Sequence, residues 1–227
     1  MFSRIAKELT VAAKMGGGDP NFNPRLRAAI SAAKGANMPN ANIDRAVSKG
    51  AGDDGSVNYE ELWYEGYGPN GAALMVEILT DNRNRTAGEI RHIFSKRGFA
   101  LAEVGAVGWK FTRKGQMLIE AADGLNEDAV MEAALEAGAE DVIGQDGGWE
   151  VLTDPSDLYA VHDALAEAGF TPSEVKLAMV PNATIDLTGD SAEKMLKLVE
   201  ALEEQDDVQN VFSDYSIDDA ELERLNA

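Results

Sequence analysis

Residues 116–181 read QMLIEAADGLNEDAVMEAALEAGAEDVIGQDGGWEVLTDPSDLYAVHDALAEAGFTPSEVKLAMVP. Short alternating apolar runs predict strands near Met117–Glu120, Asp141–Ile143, Trp149–Leu152 and Val175–Val180, and longer amphipathic runs predict helices over Glu127–Ala137 and Pro155–Ala168. The order strand, helix, strand, strand, helix, strand is that of the ferredoxin-like split βαβ unit. The two helices end alike, Leu135-Glu136-Ala137-Gly138 and Leu165-Ala166-Glu167-Ala168-Gly169, as two βαβ halves would.

The flanks of this stretch carry elements without a sheet of their own. Upstream, Trp63–Tyr67 and Ala72–Thr80 read as strands joined by the turn Gly68-Pro69-Asn70-Gly71, with Leu74, Val76 and Ile78 alternating. Thr86 and Glu89 have the spacing of a capping box for a helix that buries Ile90, Ile93 and Phe94, and Val107, Trp109 and Phe111 alternate as a further strand. Downstream come a strand at Thr184–Leu187, a helix with Met195, Leu198, Val199 and Leu202 inward, and a last strand around Val208–Ser213. The economical arrangement pairs the downstream strands with the upstream ones, so that the 116–181 unit is inserted in a second α/β domain.

The first fifty residues have a different period. Phe2, Ile5, Leu9 and Ala12 fall within roughly 80° of arc at 100° per residue and predict an inward stripe. Gly16-Gly17-Gly18-Asp19 ends that helix, and Asn23-Pro24 opens a second, with Leu26 and Ile30 inward. Pro39-Asn40 opens a third with Ile43 and Val47 inward, closing at Gly50 before the polar linker Gly50-Ala51-Gly52-Asp53-Asp54-Gly55-Ser56. The fold class expected is α+β in three domains: a helical N-terminal domain over 1–55, a discontinuous ferredoxin-like α/β domain over 56–115 plus 182–227, and an acidic ferredoxin-like domain over 116–181.

Composition narrows the function. There is no cysteine, and His92 and His162 are the two histidines, so thiolate zinc sites, cysteine nucleophiles and disulfides are excluded and no metal or cofactor is expected. No apolar run is long enough to span a membrane, and the start lacks a signal-type apolar core, which predicts a cytoplasmic protein without membrane partners. The carboxylates after residue 116 form no identifiable facing pair, and neither histidine has a serine motif or metal spacing near it. An enzyme is not expected.

The net charge is −20, an unpromising total for a nucleic-acid binder, but it is unevenly spread. Residues 1–50 hold eight basic and three acidic side chains, residues 51–80 six acidic and no basic, residues 81–115 eight basic and three acidic, and residues 116–227 four basic and twenty-eight acidic. The chain has two mildly basic stretches and a strongly acidic remainder.

Three features are candidates for function. The first is the set Arg4, Lys7, Lys14, Arg25, Arg27, Lys34, Arg45 and Lys49, all off the apolar helical faces; it reads either as a phosphate-contacting surface or as an ordinary solvated one. The second is Asp81-Asn82-Arg83-Asn84-Arg85-Thr86, where two guanidiniums beside helix amides suit an anion or RNA backbone, with Arg91, Lys96 and Arg97 continuing the basic surface along the following helix. The turn chemistry of Asp81, Asn82 and Asn84 is the alternative there. The third, Gly16-Gly17-Gly18 and Gly66–Gly71, lacks the strand-to-helix context of a phosphate loop and reads as turns.

The blocks Glu8-Leu9-Thr10-Val11-Ala12-Ala13-Lys14, Gly16-Gly17-Gly18-Asp19-Pro20, Asn23-Pro24-Arg25-Leu26-Arg27-Ala28-Ala29-Ile30, Tyr64-Glu65-Gly66-Tyr67-Gly68-Pro69 and Leu79-Thr80-Asp81-Asn82-Arg83-Asn84-Arg85-Thr86 resemble the signatures of the YebC/PmpR family of transcriptional regulators. The likeness continues through Glu132–Asp141 to Asp206-Asp207-Val208-Gln209. It implies three domains, the third inserted in the second, and a DNA-binding regulator of transcription. It also implies an alternative, since some relatives, mitochondrial translational activators among them, act on the ribosome and relieve stalling at proline runs. Carried over, the basic helices and Arg83 and Arg85 become the nucleic-acid contacts, to DNA or to ribosomal RNA, with the acidic domain free to meet basic ribosomal proteins. A monomer is favoured. Members of the family usually begin with a further stretch of about twenty residues rich in lysine and arginine, and because this chain starts inside the first helix its attraction for phosphate is expected to be reduced.

Overall fold

The computed structural model describes residues 2–52, 58–122, 125–145 and 147–226. The chain forms two compact units, one made of Met1–Gly55 with Arg113–Ala178 and the other of Ser56–Thr112 with Met179–Ala227. The fold is α+β: a three-helix region and two antiparallel sheets with helices.

In the first unit, helices α1 (Phe2–Gly16), α2 (Pro24–Gly35) and α3 (Asn40–Ala51) close on a core of Leu9, Ala12, Ala13, Leu26, Ala29, Ala33, Met38, Ile43 and Ala46. Small residues let the helices approach closely. A Cβ on Gly50 would lie 2.1 Å from the Thr10 carbonyl, and the Thr10 hydroxyl donates across to Ala46 O at 3.1 Å. Any larger residue at 50 would force α3 off α1. Two expectations are corrected here. Phe2 is exposed, one turn too early to reach the core, and Gly50 and Ala51 belong to α3, not to a linker. The rest of the expected linker, from Asp53 on, lies outside the described residues.

Apart from the first two residues of β4 and the last three of β7, the same unit contains β4 (Phe111–Glu120), α5 (Glu127–Ala137), β5 (Asp141–Gln145), β6 (Gly148–Thr153), α6 (Leu158–Glu167) and β7 (Glu174–Pro181), with the strands in the spatial order β5-β6-β4-β7. This is the split βαβ arrangement, strand for strand. Met117, Ile119 and Val151 point to one face and meet Val130 and Ala134 of α5 and Leu158, Val161 and Leu165 of α6. Gly138 caps α5 at φ 101°, a left-handed conformation open to glycine at little cost. α6 starts at Leu158, later than its apolar pattern suggests, because the Asp154 carboxylate binds the backbone N–H and hydroxyl of Ser156 and holds the preceding residues in a turn.

The second unit has the order β3-β1-β2-β9, from β1 (Glu60–Tyr67), β2 (Ala73–Thr80), β3 (Ala100–Leu101) and β9 (Val208–Ser213). Its central pair is the β1–β2 hairpin, in register from Glu60↔Thr80 to Tyr67↔Ala73. It thus uses the ferredoxin-like ingredients, four antiparallel strands with helices, in a different order. Helices α4 (Arg83–Lys96) and α7 (Gly189–Glu203) bury Ile90, Phe94, Met195, Leu198 and Leu202 on Leu74, Val76 and Ile78. The short strand β8 (Ile185–Asp186) pairs in parallel with β10 (Tyr215–Ser216), not with the main sheet, and α8 (Asp219–Asn226) follows.

Two local readings fail in this unit. Val107, Trp109 and Phe111 do not form one strand: Gly108–Lys110 is a 3-10 turn, and the strand begins at Phe111. Thr86 and Glu89 do not form a capping box, because α4 begins at Arg83 with Asn82 as its cap, accepting from Arg85 N at 3.1 Å.

Candidate nucleic-acid interface

The predicted cations divide by what surrounds each. On α1, Arg4, Lys7 and Lys14 fall within roughly 80° of arc opposite the core stripe, with Lys14 exposed and the other two partly so. Arg45 and Lys49 are exposed four residues apart on α3, and therefore on one face, and Lys34 is exposed in the last turn of α2. Arg25 and Arg27 are held by acids. The Arg25 guanidinium grips Glu8 in a two-pronged pair at 2.6 and 2.9 Å, and that of Arg27 grips Asp163 of α6 at 3.2 and 2.6 Å while donating to Pro20 O at 2.6 Å. The Asp163 carboxyl is raised by burial and lowered further by Arg27 and His162, ending below the usual aspartate range.

Around α4 the same division appears. Arg85 lies at the helix start and donates to Asp207 at 2.7 Å and to Asp81 at 3.0 Å, which holds its guanidinium more firmly protonated than a free one. Asp207 is buried and also accepts from the Thr86 hydroxyl at 2.6 Å; the Thr80 hydroxyl is 3.2 Å away. This cluster ties the end of β2, the start of α4 and the start of β9 into one polar knot. The Arg85 guanidinium, though exposed, thus meets two acids, one of them buried, where the 81–86 segment was expected to leave it open to an anion. Arg83 is exposed. So are Arg91 and Lys96, which share the solvent face of α4 with His92, while Arg97 caps the helix and donates to Lys197 O at 2.8 Å.

Lys34, Arg45, Lys49, Arg83, Arg91 and Lys96 are all exposed and make no ion pair with a described residue. Basic charge off the apolar faces is what phosphate contact requires. The open face of the ferredoxin-like sheet is the opposite case. There Gln116 and Gln145 both donate to Glu150, and Lys176 donates to Glu174 at 2.7 Å. Sheets of this kind that bind RNA put stacking aromatics on that face; this one presents amides and acids.

The sequence reading missed several groups. Glu65 is buried and accepts from the backbone N–H groups of Gly105, Val107 and Gly108 at 2.7, 2.6 and 3.1 Å. Burial raises its pKa, but the three donors more than offset this and leave it below the usual glutamate range. Asp214, also buried, accepts from Ala73 N at 2.6 Å and from Lys110 Nζ at 2.8 Å. Between them they fix residues 105–110, on which Trp109 is 73% exposed. Nothing in the residues around Glu65 marks it as buried. Among the described residues no group of three His, Asp or Glu side chains is placed to hold a metal ion, and no helix is long and apolar enough to cross a membrane.

The pattern of the TACO1/YebC protein N-terminal domain matches residues 1–53, and that of the TACO1/YebC second and third domain matches residues 59–215. A protein of Pelotomaculum thermopropionicum named "Probable transcriptional regulatory protein" is 54% identical over 220 residues, 96% of this chain and 90% of its own length. One of Magnetococcus marinus with the same description is 50% identical over 228 residues, 100% of this chain and 91% of its own. The crystal structure of a conserved hypothetical protein of Aquifex aeolicus superposes with a TM-score of 0.89 at 43% identity, covering 96% of this chain and 90% of that one. With the helical bundle and both sheets accounted for by one set of relatives, the chain belongs to the TACO1/YebC family.

Proposed function

We propose that this protein is a non-enzymatic, DNA-binding regulator of transcription that contacts phosphates through the exposed cations of its bundle and of α4. The observation that carries the reading is that Lys34, Arg45, Lys49, Arg83, Arg91 and Lys96 face solvent without an acid partner among the described residues, although acids outnumber bases two to one in the chain. Unpaired cations on helices are the groups that a polyanion can engage without first breaking an ion pair. The names of the relatives point the same way. Arg25, Arg27 and Arg85 take supporting roles in this reading, since opening their acid pairs would offset the gain from a phosphate.

Fluorescence anisotropy with labelled duplexes tests it. Affinity should fall with salt at a log–log slope of about −0.9 per phosphate contact, and Lys49→Ala with Arg91→Ala should make the slope shallower by roughly two contacts. A regulator also prefers its own sites over competitor DNA, and equal affinity for every duplex would remove the sequence-specific reading. The acid-rich open face of the ferredoxin-like sheet favours a second reading, docking on basic ribosomal proteins with the same cations on ribosomal RNA. Co-sedimentation with ribosomal particles at physiological salt supports that version, and recovery only at the top of the gradient excludes it.

The domain boundaries fit the same proposal as 1–55, 56–115 with 182–227, and 116–181. Their support is that the two family patterns break between residues 53 and 59 and that the strands of each sheet fall within one range, apart from the start of β4.

A further inference from the structure

Phe22, in the loop between α1 and α2, is 84% exposed. Single exposed apolar side chains are common and usually mean nothing. The backbone that carries it is held at several points. Phe22 N–H donates to Asp19 O at 3.2 Å and Asn21 N–H to Asp19 Oδ1 at 2.9 Å. The neighbouring Asn23 is buried; its amide donates to Ala12 O at 2.7 Å and to Gly17 O at 2.8 Å, and its oxygen accepts from Leu26 N at 3.1 Å. Arg27, itself fixed by Asp163, reaches back to Pro20 O. The loop is tied down by these hydrogen bonds, and the ring projects from it instead of joining the bundle core.

The surroundings say what such a ring suits. The hydrogen bonds of Asn23 seat the loop against the last turn of α1, where Lys14 is exposed and Met15, 71% exposed, has its sulfur 3.3 Å from an Arg25 nitrogen. Residues 1–50 carry eight basic against three acidic side chains. Of the basic groups beside this loop, Lys14 is exposed, Arg25 is paired with Glu8 and Arg27 with Asp163, and a lone ring there offers an apolar protein partner little area. A nucleobase fits, because each base offers a π face to an aromatic ring whatever its sequence.

Resting on the reading of this protein as a nucleic-acid binder, we propose that Phe22 is a fixed stacking post for an unpaired base. A base inside a regular duplex is covered by its neighbours. The ligand is therefore a single strand, a bulge or a step kinked open, in DNA or RNA.

The full chain is titrated into 20-nucleotide DNA and RNA strands carrying one 2-aminopurine, free, as a fully paired duplex, and as a duplex with that base bulged. Stacking is expected to change 2-aminopurine emission on the unpaired substrates. Phe22→Ala should abolish that change and weaken binding about tenfold, with the salt slope and thermal midpoint unaltered, while Phe22→Tyr restores both. Whichever of the DNA and RNA arms binds tighter names the source of the base. If the wild type binds and Phe22→Ala matches it on every unpaired substrate, or if Phe22→Ala lowers the salt slope, the stacking post is wrong and the nucleic-acid reading survives. If the wild type binds none of the strands or duplexes, both fall.

Discussion

The loops at 17–23 and 102–110 solve one problem with different chemistry. Each displays an aromatic ring to solvent, Phe22 in the first and Trp109 in the second, on a backbone tied down by a buried polar side chain. In the first the central anchor is a neutral amide, Asn23, with Arg27 as an outlying strut. In the second the anchors are two buried carboxylates, Glu65 and Asp214. A neutral anchor contributes less and is indifferent to pH. A buried carboxylate accepts stronger bonds and leaves more behind when it is removed, because donors gathered around a charge have no other partner.

The largest expected effect follows from that contrast. Glu65→Ala strands three backbone N–H groups, that of buried Val107 among them, and should lower stability by about 3 kcal/mol. The check is a urea midpoint that falls with an unchanged denaturant slope. Asn23→Ala loses a helix cap and two bonds to carbonyls at the end of α1, and about 1–2 kcal/mol is expected. If the Asn23 variant proved the more damaging, the contrast between charged and neutral anchors would be broken.

Acid sharpens the comparison. The folded-state pKa of Glu65 lies below its ordinary value of 4.5, so its contribution is fully present above that value and is lost as pH falls through the lowered one. Glu65→Gln mimics the protonated form. Wild type should exceed Glu65→Gln by about 1 kcal/mol at pH 7, and the gap should close in titrations carried below pH 4.5. The difference between wild type and Asn23→Ala should stay level over the same range. Parallel profiles for both variants would mean that the charge on Glu65 does not hold its loop.

What the sequence discloses follows the distance over which it acts. The 116–181 pattern is local, with alternating runs and glycine stops within a few residues, and each of its strands and helices is found. Trp109 shows the limit. Val107, Trp109 and Phe111 alternate as a strand should, yet a carboxylate 42 residues earlier draws in Val107 N–H and the segment turns instead. Thr86 has the spacing of a capping residue, but its hydroxyl is taken by Asp207, 121 residues on. The cations behave alike. Their exposure on helical faces was legible, whereas the acids that occupy Arg27 and Arg85 lie 136 and 122 residues away. Spacing tells which side of a helix a charge is on, and only the folded chain tells whether an acid has reached it first.

The smallest effect concerns the one charged strut of the first loop. Asp163→Asn keeps the shape of the side chain and removes the charge that holds Arg27. Both partners are more than a third exposed, and such pairs contribute only about 0.5 kcal/mol once water screens them. Removing this acid should therefore cost far less than removing Glu65, although both carboxylates sit below their usual pKa. The freed guanidinium would remain next to the Pro20 carbonyl and gain the option of a phosphate. Salt titrations of DNA binding should then show the slope steepening by up to one contact, with the urea midpoint nearly unmoved. A large loss of stability instead would make Arg27 and Asp163 a true anchor of the 17–23 loop, and the two loops would no longer differ in kind.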